Sequence, residues 1–485
     1  MKFNNNLITE EDRMKLTFFG ATKQVTGSMF LLTLEDGYQV LIDCGTNMSR
    51  KRETDDDNPF AVFPFDASLV NLVVLTHAHI DHSGQIPNLY RYGFEGQVLC
   101  TAPTLELTEI LLNDAASLNQ RKVKSIQNKK RSTKKSRSIK LDELYLQRQV
   151  HEAMDNFVPV KFEHRFKFSD DGYVTFYPAG HLLGAAHLVF EINEGEGTKK
   201  IAFSGDIGRK NYPLLVDPTP LPPVDYLVME TTYGDRYHKI KENRLEVLEK
   251  VINEACVDKP GRLVIPAFSI GRTQALLYSI HQLVIEGRIP PIPIFTDSPL
   301  GRKSNQIYEK YTRFMNQEAR DFKDEEESLF DFENLHYLAS EKASKEVASH
   351  SEPCIIISSS GMVQGGRVER HVAQNIGNPY ATILMIGYAV EGTLGHDLLA
   401  GNREELTIFG KPEKVMAEIK SLDVFSGHGD FDDLINFAET QDQNTLAQTF
   451  LVHGEETSMI HFKQALENKG FKNIVIPEFK ETFDL

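Results

Sequence analysis

The chain has 485 residues, 41% hydrophobic and 25% charged, with a formal net charge of −16. That length exceeds one ordinary core and predicts two or so domains of a soluble globular kind. No apolar run reaches bilayer length, and Met1-Lys2-Phe3-Asn4-Asn5-Asn6 lacks the apolar core of a leader, so neither a membrane partner nor export is expected. Cys44, Cys100, Cys256 and Cys354 are scattered with no CxxC pair, which argues against a disulfide framework or a cysteine-rich zinc site and for a reduced, cytoplasmic setting.

From Lys15 to Asp43 the pattern is β, with Glu35-Asp36-Gly37 as a hairpin turn and Val40-Leu41-Ile42 delivering Asp43 at a strand tip. Leu72-Val73-Val74-Leu75 reads as a buried strand that feeds Thr76-His77-Ala78-His79-Ile80-Asp81-His82. Neutral imidazoles and a carboxylate this close together are what a divalent metal such as zinc takes. A helix from Pro103 to Asn119 follows, with proline near its first turn. Then comes a basic island of Arg121, Lys122, Lys124, Lys129, Lys130, Arg131, Lys134, Lys135, Arg137 and Lys140, uninterrupted by any Asp or Glu. On so acidic a chain such an island is either a solvated loop or a local contact for a polyanion, and both readings stay open.

Tyr173 to Tyr177 and Lys200 to Phe203 read as strands ending at glycine-containing turns that deliver His181 and Asp206. Asp43, His181 and Asp206 therefore stand where strand ends can converge on the His77–His82 loop. After the proline-rich stretch 213–223 the rhythm changes to alternating strands and helices as far as Ile386, which favours a mainly parallel sheet. The last stretch returns to short elements and carries Phe425-Ser426-Gly427-His428-Gly429-Asp430 and Leu451-Val452-His453-Gly454-Glu455.

His77-Ala78-His79-Ile80-Asp81-His82, with Asp43 before it and Gly180-His181 and Gly205-Asp206 after it, closely resembles the metallo-β-lactamase superfamily. The last histidine of ordinary hydrolases of that superfamily follows soon after the aspartate. Here His238 and His281 fall in that interval without a ligand-like context, and His428 is the candidate beyond the α/β stretch. That arrangement, with Glu230 in Met229-Glu230-Thr231-Thr232-Tyr233-Gly234-Asp235 and His396 in Gly392-Thr393-Leu394-Gly395-His396, is similar to the β-CASP branch, which processes nucleic acids. The likeness is greatest to bacterial relatives of the endonuclease subunit of the mRNA cleavage and polyadenylation factor, and more distant to ribonuclease J.

The resemblance implies an α/β fold: an αββα sandwich over residues 1–215 and 394–485, with a β-CASP domain inserted at 216–393. It implies two divalent ions, zinc or alternatively manganese, one on His77, His79 and His181, the other on Asp81, His82 and His428, with Asp206 bridging. Such a pair supplies a hydroxide nucleophile for an in-line attack on phosphorus. Asp43 is expected to orient a ligand histidine, and His396, held by Glu230, to protonate the departing oxygen. Ser358, Ser359, Ser360, Gly361, Arg272 and His453 are candidate substrate contacts, and His187 is expected to be structural. The activity implied is a metal-dependent ribonuclease on single-stranded RNA, an endonuclease; a homodimer is implied only by the same likeness. The alternative is a dinuclear hydrolase of a small ester, thioester or lactone.

Overall fold

The computed structural model describes residues 13–47, 62–130, 144–194, 197–239, 243–348, 350, 352–387, 389, 392–401 and 404–485. Two seven-stranded sheets and one six-stranded sheet organise the chain. The first begins with an antiparallel meander of Lys15–Phe18, Phe30–Thr33 and Gln39–Ile42. It continues in parallel through Leu72–Val74, Gln97–Thr101 and Phe157–Val160. At its other edge the C-terminal strand Thr482–Asp484 pairs with Lys15–Phe18. Alternation turns Leu16 and Phe18 inward, whereas Leu72-Val73-Val74 is buried throughout, as a parallel strand covered on both faces must be.

The second sheet runs antiparallel from Phe166–Lys167 through Gly172–Pro178 and Ala186–Glu194 to Gly197–Phe203. It then runs parallel through Tyr226–Glu230, Gln448–Val452 and Ile474–Val475. Between the two sheets lies a core rich in phenylalanine, with Phe18, Phe30, Phe176, Phe190, Phe203 and Phe450 in one cluster. Truncating any of these rings to alanine costs about 3–5 kcal/mol.

The third sheet is wholly parallel, in the order Leu335–Tyr337, Ile294–Asp297, Cys354–Ser358, Arg262–Pro266, Thr382–Met385, Glu418–Ser421. Its strands alternate between two cores: Leu263, Ile265, Ile355 and Ile357 face one, Val264 and Ile356 the other. The former core is shared with Ala179, Leu182, Leu183, Leu214 and Leu215 of the sandwich, so the insert is anchored by continuous apolar packing beside His181. Strand pairing moves the expected domain limits. Tyr226–Glu230 belongs to the sandwich, past 216, and Glu418–Ser421 to the insert, past 393.

The helix expected at Pro103–Asn119 spans Ala102–Lys130 and so takes up the first part of the basic island. The remainder of that island, residues 131–140, lies outside the described residues.

Within the insert, Asp297 ends its strand fully buried. It accepts from His371 Nε2 at 2.7 Å, Arg367 Nη1 at 2.5 Å and the Ser344 hydroxyl. Removing one partner of such a network strands buried charge. Asp297→Asn is therefore expected to destabilise the chain by about 3–5 kcal/mol, read as a lower midpoint in denaturant titration.

Candidate metal centre

Four strand ends build the site, each with backbone in the left-handed region: Asp43 (φ 60) after Gln39–Ile42, Gly180 (φ 69) before His181, Gly205 (φ 53) before Asp206, and His453 (φ 51) after Gln448–Val452. Glycine is required at two of them for space as well as for φ. A Cβ at Gly180 would stand 2.7 Å from Val216 O, and one at Gly205 2.9 Å from Thr76 Cβ. Asp43 and His453 adopt the same conformation without that freedom, strain of a kind that concentrates at functional sites.

Three groups of donors come together around these ends: His77, His79, His181 and Asp206; Asp81, His82 and His453; and, at the rim, Asp206, Glu230 and His428. Asp206 stands between the first two. Its Oδ2 is 3.5 Å from both His77 Nε2 and His181 Nε2, and its Oδ1 is 3.3 Å from His82 Nε2 and 3.5 Å from His453 Nδ1. The ring nitrogens crowd the centres: His79 Nδ1 is 3.1 Å from His77 Nε2 and 3.2 Å from His181 Nε2, and His82 Nε2 is 3.3 Å from His453 Nε2.

The remote nitrogens are tied elsewhere. His82 Nδ1 donates to Asp43 Oδ2 (2.7 Å), His77 Nδ1 lies 3.1 Å from Thr76 Oγ1, and His181 Nδ1 donates to Gly427 O (3.2 Å). Asp43 in turn accepts from the Thr76 amide and hydroxyl, both at 2.8 Å. A histidine whose outer nitrogen is so engaged aims the lone pair of the other inward. Burial pushes His77 and His181 well below the ordinary histidine range and His79 down to about 4, so these rings are neutral. Burial also disfavours the Asp206 carboxylate, but His453 and His82 beside it hold it ionised. Its Oδ1 is buried without a hydrogen-bond donor. Neutral imidazoles, converging lone pairs and an unsatisfied carboxylate oxygen fit a divalent cation, which is what resolves such crowding.

Two expectations need correcting. His428 does not join Asp81 and His82; its Nδ1 is 3.1 Å from Glu230 Oε1, and its Nε2 comes no nearer Asp206 than 3.9 Å. The reason is topological. Gln448–Val452 pairs in parallel with Tyr226–Glu230, so His453 emerges beside Asp206, whereas His428 sits in a loop bridged to Gly208. His453, expected as a substrate contact, thus stands among the metal donors.

His396 does not meet Glu230 either. It lies in the short helix Leu394–Ala400, its amide capped by Thr393 Oγ1. Glu230 instead accepts from Ile207 N (2.5 Å) and Thr232 N (3.2 Å) and presents its remaining reach to His428. Burial works against a charged His428, yet the Glu230 carboxylate, with Asp206, raises its proton affinity above the ordinary value. His238, set aside on the sequence, donates from Nε2 to the His428 carbonyl at 3.0 Å and so fixes that loop.

The other candidates fall further out. Ser358 Oγ donates to the Asp297 carbonyl, Ser359 Oγ to Ser298 Oγ, and the Ser360 carbonyl accepts from Val363 N. His187 is buried, donates to Ser204 O at 2.5 Å, packs on Phe437, and lies outside the donor groups; His281 donates to Leu329 O.

Three family models match in succession: the metallo-beta-lactamase superfamily domain at residues 31–207, the Beta-Casp domain at 273–398 and the Zn-dependent metallo-hydrolase RNA specificity domain at 412–477. Ribonuclease TTHA0252 of Thermus thermophilus is 30% identical, over 94% of this chain and 97% of its own length. The RNase J-like protein of Methanocaldococcus jannaschii is 27% identical over 96% of this chain and 97% of its own length. Transcription termination factor FttA of Methanosarcina mazei is 27% identical over 98% of this chain and 73% of its own length. With this sandwich, this insert and this cluster of histidines and aspartates, the chain belongs to the β-CASP branch of the metallo-β-lactamase superfamily.

Proposed function

We propose that the chain is a metal-dependent ribonuclease that hydrolyses phosphodiester bonds within single-stranded RNA. The observation that carries this reading is the Glu230–His428 pair at the rim of the donor groups. A ribonuclease relative and an RNA specificity domain model over 412–477 support it.

Two zinc ions are the expected occupants, one on His77, His79, His181 and Asp206, the other on Asp81, His82, His453 and Asp206. When bound, they supply the charge that acidifies a water and offsets that of a phosphate. The chain's own residues do the rest. Asp43 and Thr76 hold His82 and His77 in the required tautomers. Glu230, itself fixed by two backbone amides, keeps a proton on His428. His428 Nε2, facing the donor groups, passes that proton to the 3′-oxygen as the phosphorus–oxygen bond breaks. The products are a 5′-phosphate and a 3′-hydroxyl.

A small-ester hydrolase gives the Glu230–His428 pair and the insert no task. Cleavage of single-stranded RNA labelled at one end tests the choice. Internal cuts are expected; stepwise loss from the 5′ end would make the enzyme an exonuclease, and intact RNA beside a hydrolysed ester would reject the reading.

A further inference from the structure

Arg272 is a cation that the mechanism above does not use. It opens the helix Arg272–Ile285 behind Gly271 (φ 81), where a Cβ would stand 3.1 Å from Leu182 Cδ1, so the helix start abuts the loop that carries His181. Its guanidinium lies 4.7 Å from the centre of the Phe268 ring. A Cβ at Gly387 would come within 2.7 Å of its Cζ, so a side chain there would collide with the guanidinium. Phe268 also packs on Gly361, 3.1 Å from where a Cβ would be, so Arg272 and the 358–361 turn share one aromatic wall. Its charge reaches His428, Tyr212 and Tyr233.

Four other arginines of the insert have anions, Arg244 with Glu318, Arg288 with Glu249, Arg367 with Asp297 and Arg370 with Glu341, whereas Arg302 and Arg313 lie over aromatic rings as Arg272 does. Among the described residues no acceptor meets the Arg272 guanidinium. A planar, five-donor cation held on an aromatic face at the junction of sandwich and insert suits a phosphate, whose oxygens it can take two at a time.

We propose that Arg272 is a specificity-determining residue that grips the RNA phosphate next to the scissile one, on the side of the departing 3′-oxygen. The placement follows from its neighbours. The scissile phosphate belongs at the metal donors. Arg272 lies near His428, which serves the departing oxygen. The inference rests on the ribonuclease reading, and makes the insert the part that demands a chain of phosphates rather than a single ester.

Arg272→Ala and Arg272→Lys, each checked for zinc content and melting temperature, test it on an RNA oligonucleotide and on bis(4-nitrophenyl) phosphate. With one charged contact gone, kcat/KM for RNA should fall about 10- to 100-fold in the alanine variant. The loss should be much smaller on the single-phosphate ester and intermediate for lysine, which keeps the charge but not the fork. The slope of log(kcat/KM) against log[salt] should become shallower by about 0.7, the signature of one lost phosphate contact on a single strand. Equal losses on both substrates, or an unchanged slope in the alanine variant, would overturn the assignment. If the wild type cleaves the ester and not RNA, the ribonuclease reading fails and takes this proposal with it. Wild-type RNA cleavage unaffected by either substitution defeats Arg272 alone.

Discussion

Replacing His428 by alanine is expected to cut the rate of RNA cleavage by about 10²–10⁴-fold, the range a positioned proton donor contributes. Metal content should hold, because His428 turns its Nδ1 to Glu230, keeps its Nε2 3.9 Å from Asp206, and belongs neither with His77, His79 and His181 nor with Asp81, His82 and His453. Glu230→Gln should fall in the same direction by less, since the amide keeps a hydrogen-bonding partner for His428 and loses only the charge that raises its proton affinity. Single-turnover cleavage measured beside metal analysis separates the roles. Loss of one metal per chain in His428→Ala would restore the ligand role first expected for it and leave the departing oxygen without a donor.

His453→Ala is expected to act the other way, through the metal. His453 Nε2 lies 3.3 Å from His82 Nε2 and 3.6 Å from Asp81 Oδ2, and its Nδ1 is held by Thr232 Oγ1 at 3.1 Å. Even partners outside a ligand shell change metal affinity by 10–100-fold, so removal of a direct donor should weaken the second site by at least about 10²-fold, with cleavage falling in step. The His396→Ala variant, by contrast, should stay within about twofold of wild type, as a substitution away from the site does. Zinc titration of the three variants followed by calorimetry distinguishes them. A His453→Ala protein that still binds two ions tightly would remove His453 from the centre.

These two variants mark where sequence reading reached its limit. The motif from His77 to His82 was legible because its donors are contiguous and a buried strand feeds them. Asp43, His181 and Asp206 were legible for a related reason: each follows an apolar run and a sharp turn, which places a polar side chain at a sheet's end. Leu451-Val452-His453 carries that same signature, yet it competes with His428, 25 positions earlier in the same terminal segment. The choice depends on sheet order, and order is a property of tertiary packing. Once Gln448–Val452 lies beside Tyr226–Glu230, and that beside Gly197–Phe203, His453, Glu230 and Asp206 share one edge. The expectation for His396 rests on likeness to a family motif and not on any strand-end pattern; the residue lies within the helix Leu394–Ala400, its amide capped by Thr393.

The domain limits were missed for the same reason. Apolar runs announce strands but not which sheet receives them, and both misplaced strands, Tyr226–Glu230 and Glu418–Ser421, lie at crossings between sandwich and insert.

The proposed reading is that RNA is cut by a two-cation centre built from seven side chains, with Asp206 reaching both sets. Its most direct test is cleavage of a 5′-labelled single-stranded RNA by chelator-stripped protein to which zinc is returned stepwise. Activity should be absent at first, rise to a plateau at about two zinc ions per chain, and yield internal fragments bearing 5′-phosphates. RNA left intact at two bound zinc ions, or full cleavage by the stripped protein, would contradict it.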